Sequence, residues 1–575
     1  MTVSDKTKKD LKEAVRVPGF TTSPEDVDHL VTGIVERLAV FFYRQESPCV
    51  WISFMGGTGT GKSTLFNAFC GRSLSETGVE RPKTNGPIGY SPEACQVPKD
   101  FPFPDVPVDR YEVDDSPSTH SSGRPGRLIL FTHHRDTWSH LIVLDTPDMD
   151  SVESQNLAMV ERFYLFADVV VFVTSQDKYA DEVPYQFLKR ISENGKPCFL
   201  LVNKTDDVTK QDILSPLQGH GTSFPEHRIW LIPYHPSGSE AAIAGDPEFS
   251  RFSQTLFNEV SPKRSQTLYS QEQDKRAKII AGKIGHLSAT IEKEHHEAQA
   301  WLRELNRLFE NACDDLVKAE KQRFAAESRQ HLQQEIRKLF QRYDPLSKPR
   351  QLIRDVLSAP FQLIGMSLGR RPNQRKNSLS KVRQKIDLTP VWGTVERFNR
   401  SALENLSPER EDAPLFKALH QTDIALTEEE IRSHMLKEHD QLDQWLERKF
   451  KELARGLPRH KRWGIYSTSI LWGSLILSFE IVVGGGFSGL DAVLDSVLAP
   501  FITKGSMELF AYREIKAVAT ELARQYQEAL RSVVKRQKLR YETALNELLT
   551  QPDDLAFLKR LQTKMETVPQ GMDDD

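Results

Sequence analysis

Cysteine is scarce in this chain: Cys49, Cys70, Cys95, Cys198 and Cys313 are the five in 575 residues, and no Cys-x-x-Cys pair occurs. That scarcity excludes a disulfide-stapled scaffold and the common zinc modules. The odd, scattered set reads as buried thiols in a reducing compartment, with Cys49 and Cys198 opening apolar runs. A charge excess is missing as well. Lys and Arg number 76 against 80 Asp and Glu, a net charge of -4, so the balance gives no support to nucleic-acid binding. No internal repeat of fixed period is evident. The histidines, His295 and His296 among them, lack metal-ligand spacing and are expected to be solvated. No apolar core follows the basic residues at the N-terminus, so no secretory signal is expected and a cytoplasmic location is.

What is present is length and helical surface. At 575 residues the chain is too long for one core and calls for roughly three or four domains. Hydrophobic residues at 38% and charged residues at 27% suit a soluble protein rich in helical surface.

The most informative stretch is Gly56-Gly57-Thr58-Gly59-Thr60-Gly61-Lys62-Ser63-Thr64. An apolar run from Cys49 to Met55 precedes it, and Leu65–Gly71 follows with a helical pattern ending at glycine. Strand, glycine-rich loop and helix with the spacing G-x-x-x-x-G-K-S make a phosphate-cradling P-loop rather than a chance turn. Small residues let backbone N–H groups face the phosphates, and the helix directs its positive end at the same anion. Lys62 can reach the β- and γ-phosphates, and Ser63 can ligate Mg²⁺.

Taken in order, residues 1–22 read as a flexible arm. A helix then opens at Pro24, with Ser23 as N-cap and Val27, Leu30, Val31, Ile34, Leu38 and Phe41 at helical spacing. The stretches 77–86 and 92–126 read as loops, rich in proline, glycine and polar residues. Strands are expected at 127–132, 141–145, 169–174, 198–202 and 229–232, with helices at 151–167 and 183–192. Alternation of this kind predicts an α/β P-loop G domain over 23–262, a mostly parallel sheet with helices on both faces. Ligands in such sheets bind at the carboxyl ends of the strands. From 263 the pattern becomes helical: a long amphipathic helix, a second stretch at 314–342, then 391–405, 427–456 and 506–550. This predicts a long all-α helical bundle or stalk over 263–457, an apolar hairpin over 458–505, and a returning helix with an acidic tail over 506–575.

Three further motifs follow the P-loop. Asp145, in Leu144-Asp145-Thr146-Pro147-Asp148, ends an apolar strand and can hold a water of the Mg²⁺ shell. Asn203-Lys204-Thr205-Asp206 also ends an apolar strand. There the Asp206 carboxylate can accept from both N1–H and N2–H of guanine. Adenine would oppose it with a lone pair, and unpaired buried polar groups are costly. The Lys204 stem can cover the base, and Asn203 can brace the loop. Thr84, after Arg81-Pro82-Lys83, can reach Mg²⁺ and the γ-phosphate and let go on hydrolysis. Thr77 is also in reach by sequence; Thr84 is favoured because it follows Arg-Pro.

Together GGTGTGKST, RPKT, DTPD and NKTD, with LFNAFCG after the P-loop, resemble the dynamin-like and Era-like branch of translation-factor-type GTPases over residues 45–240. The resemblance implies phosphate, Mg²⁺ and guanine roles for Lys62, Ser63, Thr84, Asp145, Asn203, Lys204 and Asp206. It gives Thr84 with Ser63 and Lys62 the catalytic positions. A fifth, base-supporting motif would fall at Ile232-Pro233-Tyr234-His235, which lacks the usual Ser-Ala pair. Two departures stand out. Asp148 replaces the glycine whose N–H senses the γ-phosphate, and Met149 stands where Ras-like enzymes place a catalytic glutamine. Dynamin-like enzymes also lack that glutamine and gain activity by pairing G domains. The resemblance therefore implies a homo-oligomer, through G domains or the helical half, with slow turnover in the monomer.

Trp463–Phe479 carries no charge before Glu480 interrupts it, and Arg459, His460, Lys461 and Arg462 precede it. The run is short for a spanning helix, which needs about 20 apolar residues. Its local reading is open between a buried hairpin and a segment that dips into one leaflet. The dynamin-like resemblance implies the second, contact with an anionic membrane from the cytoplasmic side. Residues 356–369, followed by Arg370, Arg371 and Arg375, read as a basic loop with an interfacial alternative. The reading is thus a GTP- and GDP-binding, Mg²⁺-dependent GTPase that contacts membrane and self-associates. The alternatives are a soluble regulatory GTPase whose helical half binds a protein or RNA, and a nucleotide-binding scaffold with little turnover.

Overall fold

The computed structural model describes residues 11–46, 49–77, 85–93, 95, 101–113, 121–149, 154–176, 182–206, 209–219, 224–235, 240–341, 389–455 and 506–567. Thr84, the stretches 356–385 and 458–505, and the acidic C-terminal tail lie outside them. Among the described residues, no helix is long and apolar enough to cross a membrane. Two compact units divide the chain. The first holds residues 1–15, 25–291 and 550–575, and the second 16–24 and 292–549.

The first unit is built on an eight-stranded sheet. Its strands are β1 (Val50–Gly56), β2 (Ile88–Pro92), β3 (Val108–Glu112), β4 (Leu128–His133), β5 (Leu141–Asp145), β6 (Val169–Ser175), β7 (Cys198–Thr205) and β8 (Ile229–Pro233). They lie in the order β3-β4-β2-β5-β1-β6-β7-β8. Every pairing is parallel except β2 with β5. The mostly parallel sheet expected from the sequence is therefore present. Side chains alternate along β1: Trp51 and Met55 enter one core, and Val50, Ile52 and Phe54 the other. Both faces are covered, so the strand reads as a continuous apolar run.

Helices α1 (Pro24–Glu46), α2 (Lys62–Cys70), α3 (Ser154–Phe166), α4 (Glu182–Glu193), α5 (Lys210–Gly219), α6 (Glu240–Ala244) and α7 (Pro247–Glu259) belong to this unit. The start of α7 is set by Asp246, whose carboxylate accepts from the N–H groups of Glu248 and Phe249, with Pro247 at the first helical position. Strand β3 falls within 92–126, which reads as a loop, and β2 lies between the two loop stretches, where the sequence pattern marks no strand. Glycine, proline and the exposed edge of β3 hide their pattern.

At the amino ends of β1 and β6, Asp168 is fully buried with Arg44. Its Oδ1 lies 2.8 Å from Arg276 Nη2, and Oδ2, the oxygen held by Arg44, accepts from the Trp51 N–H at 2.8 Å. Burial alone would raise the Asp168 pKa, but the two arginines outweigh it and hold it below the usual carboxylate range.

One helix, α8 (Pro262–Gln341), replaces the two expected over 263–342. Its first turns bury Ala277, Ile280, Ala281, Ile284 and Leu287. The first unit therefore extends to residue 291 of this helix. Helix α13 (Pro552–Glu566) also packs in the first unit, with Gln562 against Gly285.

The second unit joins the rest of α8 to α9 (Thr389–Leu406), α10 (Pro414–Leu419), α11 (Glu428–Arg455) and α12 (Ser506–Glu547). Its core includes Trp301, Leu305, Phe398, Ile431, Tyr526 and Tyr541. Two polar side chains inside are matched: Trp301 Nε1 donates to Leu406 O at 2.8 Å, and buried Gln537 accepts from Leu426 N and donates to Ile424 O.

Three expectations need correction. Residues 16–22 are not a loose arm. The N–H groups of Gly19, Phe20, Thr21 and Thr22 all donate to the Glu294 carboxylate. Cys49 and Cys95 are not free thiols but a disulfide with Cα atoms 6.4 Å apart, inside the usual span. That pairing also removes the argument for a reducing compartment. His133 is not solvated: burial first, then Arg135 and His134, push its imidazole down to about 4.

Candidate nucleotide site

The loop between β1 and α2 lies at the carboxyl end of a central strand, where open α/β sheets bind ligands. Its path demands glycine. Gly61 has φ +88°, and a side chain there would bring its first carbon 2.2 Å from Asn203 Nδ2. A carbon on Gly56 would meet Val173 O at 2.1 Å. Thr60 closes the turn by donating its hydroxyl to Gly57 O at 2.9 Å.

The Asn-Lys-x-Asp stretch at the end of β7 is tied to this loop. Asn203 Nδ2 donates to Thr60 O at 2.8 Å, and Lys204 Nζ to Gly59 O at 2.9 Å. Lys204 has φ +59°, a conformation rare outside glycine and a form of strain found at functional sites. Asp206 is exposed, and its N–H donates to Gln176 Oε1 at 2.9 Å. Tyr234, just after β8, donates its N–H to Thr205 O at 3.4 Å and is 55% exposed.

On the phosphate side, Lys62 Nζ lies 3.0 Å from Asp145 Oδ1 and 3.6 Å from Asp148 Oδ1, and donates to Thr146 O. Burial would lower the Lys62 pKa, but Asp145 and Asp148 outweigh it and hold the ammonium above its ordinary value. The other Asp145 oxygen accepts from Ser75 Oγ at 2.8 Å. Thr146 is fixed to β1, donating N–H and hydroxyl to Phe54 O. Met149 is 3% exposed in the apolar core, so its side chain cannot face a reacting water.

The site thus gathers Lys62, Asp145 and Asp148 on one side of the P-loop and Asn203 and Lys204 on the other. Ser63 and Thr64 open α2 beside Lys62. Ser75, Asn67 and Gln176 escape the sequence reading. Asn67 accepts from the N–H groups of Leu74 and Ser75 and donates to Ser75 O, which places Ser75 against Asp145. An asparagine one turn before a terminal glycine is the signal that could have marked it.

Fold and site together define a P-loop G domain of the GTPase type. The family described as 50S ribosome-binding GTPases matches residues 51–204. An uncharacterised protein in the xynA 3' region of Caldicellulosiruptor sp. (strain Rt8B.4) is 30% identical over 200 residues, spanning 33% of this chain and 46% of that protein. The chain therefore spans about half the length of the curated relative it matches. Among solved structures, an oligomerised bacterial dynamin pair, described as sensing and tethering membranes, is 12% identical with a TM-score of 0.40, covering 98% of this chain and 95% of its own. LeoA, a bacterial dynamin GTPase from ETEC, is 14% identical with a TM-score of 0.24, covering 97% and 96%. These whole-chain likenesses are loose and carry no functional argument.

Proposed function

We propose that the chain binds GTP and GDP with Mg²⁺, hydrolyses GTP, and couples the nucleotide to a helical half that self-associates and meets an anionic membrane surface. The observation that carries the nucleotide reading is the attachment of Asn203 and Lys204 to P-loop carbonyls. Base-reading and phosphate-binding stretches then move as one piece, and Asp206 is free to accept from both guanine N–H groups. Lys62 serves the phosphates. The Gly57–Gly61 loop, including Thr58 and Thr60, wraps them, and Thr64 follows on α2.

The residues fit a hard, oxygen-preferring ion. Ser63 would ligate Mg²⁺, with Thr84 as the second hydroxyl. Asp145, already engaged by Lys62 and Ser75, would hold a metal-bound water. The ion would neutralise charge developing on the phosphates. Asp148 competes with those phosphates for Lys62. With Met149 buried, no side chain at that position orients the attacking water. A partner copy could supply that group, which supports self-association as the route to faster turnover. The membrane part rests on the dynamin-like motif resemblance and on residues 463–502.

The experiment is GTP turnover and pelleting with anionic liposomes, for the intact chain, Asp206→Ala and a chain lacking 463–502. The proposal expects Asp206→Ala to lose about 10- to 100-fold in preference for GTP over ATP. It also expects liposomes to bind the intact chain and raise its turnover, both effects vanishing with the deletion. Equal use of GTP and ATP by the intact chain would sink the guanine reading. Intact protein that stays in the supernatant in GTP and in GDP would sink the membrane reading and turn the search to a protein or RNA partner.

A further inference from the structure

The opposite end of the same sheet carries an unexplained concentration of positive charge. A cavity open to solvent, with apolar walls that include Val40 and Ile280, carries Arg37 of α1, Asn194 and Lys196 before β7, and Glu272, Lys275 and Arg276 of α8 on its lining. All belong to the first unit. Four cations and one carboxylate line it, and Lys275 holds that carboxylate, Glu272, at 2.7 Å while also donating to Gly195 O at 2.7 Å.

Arg276 is the most telling member. Its side chain is 10% exposed. Nη2 is shared among Phe166 O at 2.9 Å, Ala167 O at 3.0 Å and Asp168 Oδ1 at 2.8 Å. Nη1 is buried and has no hydrogen-bond partner among the described residues. Asp168, the carboxylate behind it, is also held by Arg44 and cannot serve as counter-charge for the cavity. A buried, unanswered guanidinium N–H is costly, and since Arg190 and Arg228 also carry buried ones, this atom counts only together with the other cations of the cavity.

Three neighbours are perturbed in the same direction. Lys196 donates to Tyr164 O at 3.1 Å and Ala167 O at 2.5 Å. Burial first and Arg276 second nevertheless push its ammonium down to about 7, against the pull of Glu272 and Asp168. Arg37 makes no side-chain hydrogen bond among the described residues, and burial lowers its pKa as well, against the pull of Tyr164, Glu161 and Glu36. Lys283, two turns further along α8, is lowered by burial and by Arg37. In all three, burial comes first and outweighs whatever carboxylates stand near.

We propose that this cavity binds a small phosphate-class oxyanion, held by Arg37, Lys196, Lys275 and Arg276. A monocarboxylate would leave most of the excess positive charge unanswered. A tetrahedral dianion offers charge and acceptor lone pairs in several directions, matching cations that converge from three elements. Bound there, it would link α1, the β7 approach and the first turns of α8. The inference does not rest on the GTPase reading, because the two sites lie at opposite ends of the strands.

The test is phosphate-dependent thermal stability of the full chain at constant ionic strength. The P-loop is silenced in two ways, by saturating Mg²⁺ and GDP and by Lys62→Ala. Inorganic phosphate and glycerol 3-phosphate form separate arms, so that a free ion and a phosphomonoester headgroup are distinguished. The expected result is a saturable rise in Tm under both conditions, absent with chloride. Arg37→Gln should weaken the apparent affinity at least about tenfold, and Lys275→Gln should do the same. Arg251→Gln, a surface control on α7, should not. A rise that fails to saturate, or one of equal size and midpoint in Arg37→Gln and Lys275→Gln, would overturn the proposal. Melting of each variant without phosphate reports whether it folds.

Discussion

The two ends of the central sheet carry inverted electrostatics. At the carboxyl ends of β1 and β5, one lysine faces two carboxylates, Asp145 and Asp148. At the amino ends of β1, β6 and β7, Arg37, Lys196, Lys275 and Arg276 crowd around Glu272. The first end suits a divalent cation with a polyphosphate, where added positive charge is needed with the negative. The second suits an anion arriving alone. Burial alone thus says little about a charged group. What the neighbours leave unpaired decides which ligand would complete it.

The sharpest way to break the contrast is to remove Asp168, the buried carboxylate behind the cationic end. Asp168→Asn leaves Arg44 and Arg276 buried against a neutral group and should cost about 3–5 kcal/mol in urea unfolding. The pH dependence has a matching sign. The folded pKa of Asp168 lies below its unfolded value. Its contribution is therefore present above the unfolded carboxylate range, near about 4, and fades as pH falls through the folded value. Asp168→Asn should flatten the acid limb of the stability profile. An unchanged acid limb would show that the pair contributes nothing there.

A smaller effect sharpens the comparison from the basic side. The Lys196 ammonium, with a folded pKa of about 7, binds fewer protons in the native chain than the unfolded chain does above that pH. Stability should therefore rise with pH from about 7 toward the ordinary lysine value near about 10.4, by at most about 1.4 kcal/mol per pH unit. The groups facing it are Arg276, Glu272 and Lys275 of α8, Arg37 of α1, Tyr164 of α3 and Asp168. Lys196→Met should remove the rise, and saturating phosphate should reduce it. A wild-type profile flat across that range would contradict the placement of Lys196.

The smallest expected change is at the other end. Asp148→Gly frees Lys62 from a carboxylate 3.6 Å away. GTP affinity should improve about two- to fivefold, since one partly exposed ion pair is worth under about 1 kcal/mol. Equilibrium titration with a fluorescent GTP analogue reads it. Weaker binding would mean that Asp148 assists the phosphates rather than competing with them.

How legible these features are in the sequence depends on spacing. The P-loop, Asp145 and Asn203-Lys204-x-Asp206 are contiguous stretches at strand ends, so residue order alone exposes them. Strand β2 is not legible, because Gly89 and Pro92 break the pattern while Gly89 makes room for Leu130 and Leu144. Ser75 looks like any loop serine until Asn67 turns it toward Asp145. The cationic cavity is wholly hidden. Arg37, Lys196 and Arg276 lie far apart in the chain, and each alone passes for a solvated charge.

Gly61 and Asn203 have a consequence for how this protein can change over time. They stand 142 positions apart (203 less 61), yet they compete for one small volume. Any side chain at 61 would displace the amide at 203, and with it the brace on Thr60. A shorter residue at 203 would make room but lose the brace. Neither position can drift alone without loss. Descendants of this chain should keep both or replace both together, and a graft of the guanine-reading stretch onto another loop would carry over little without its glycine.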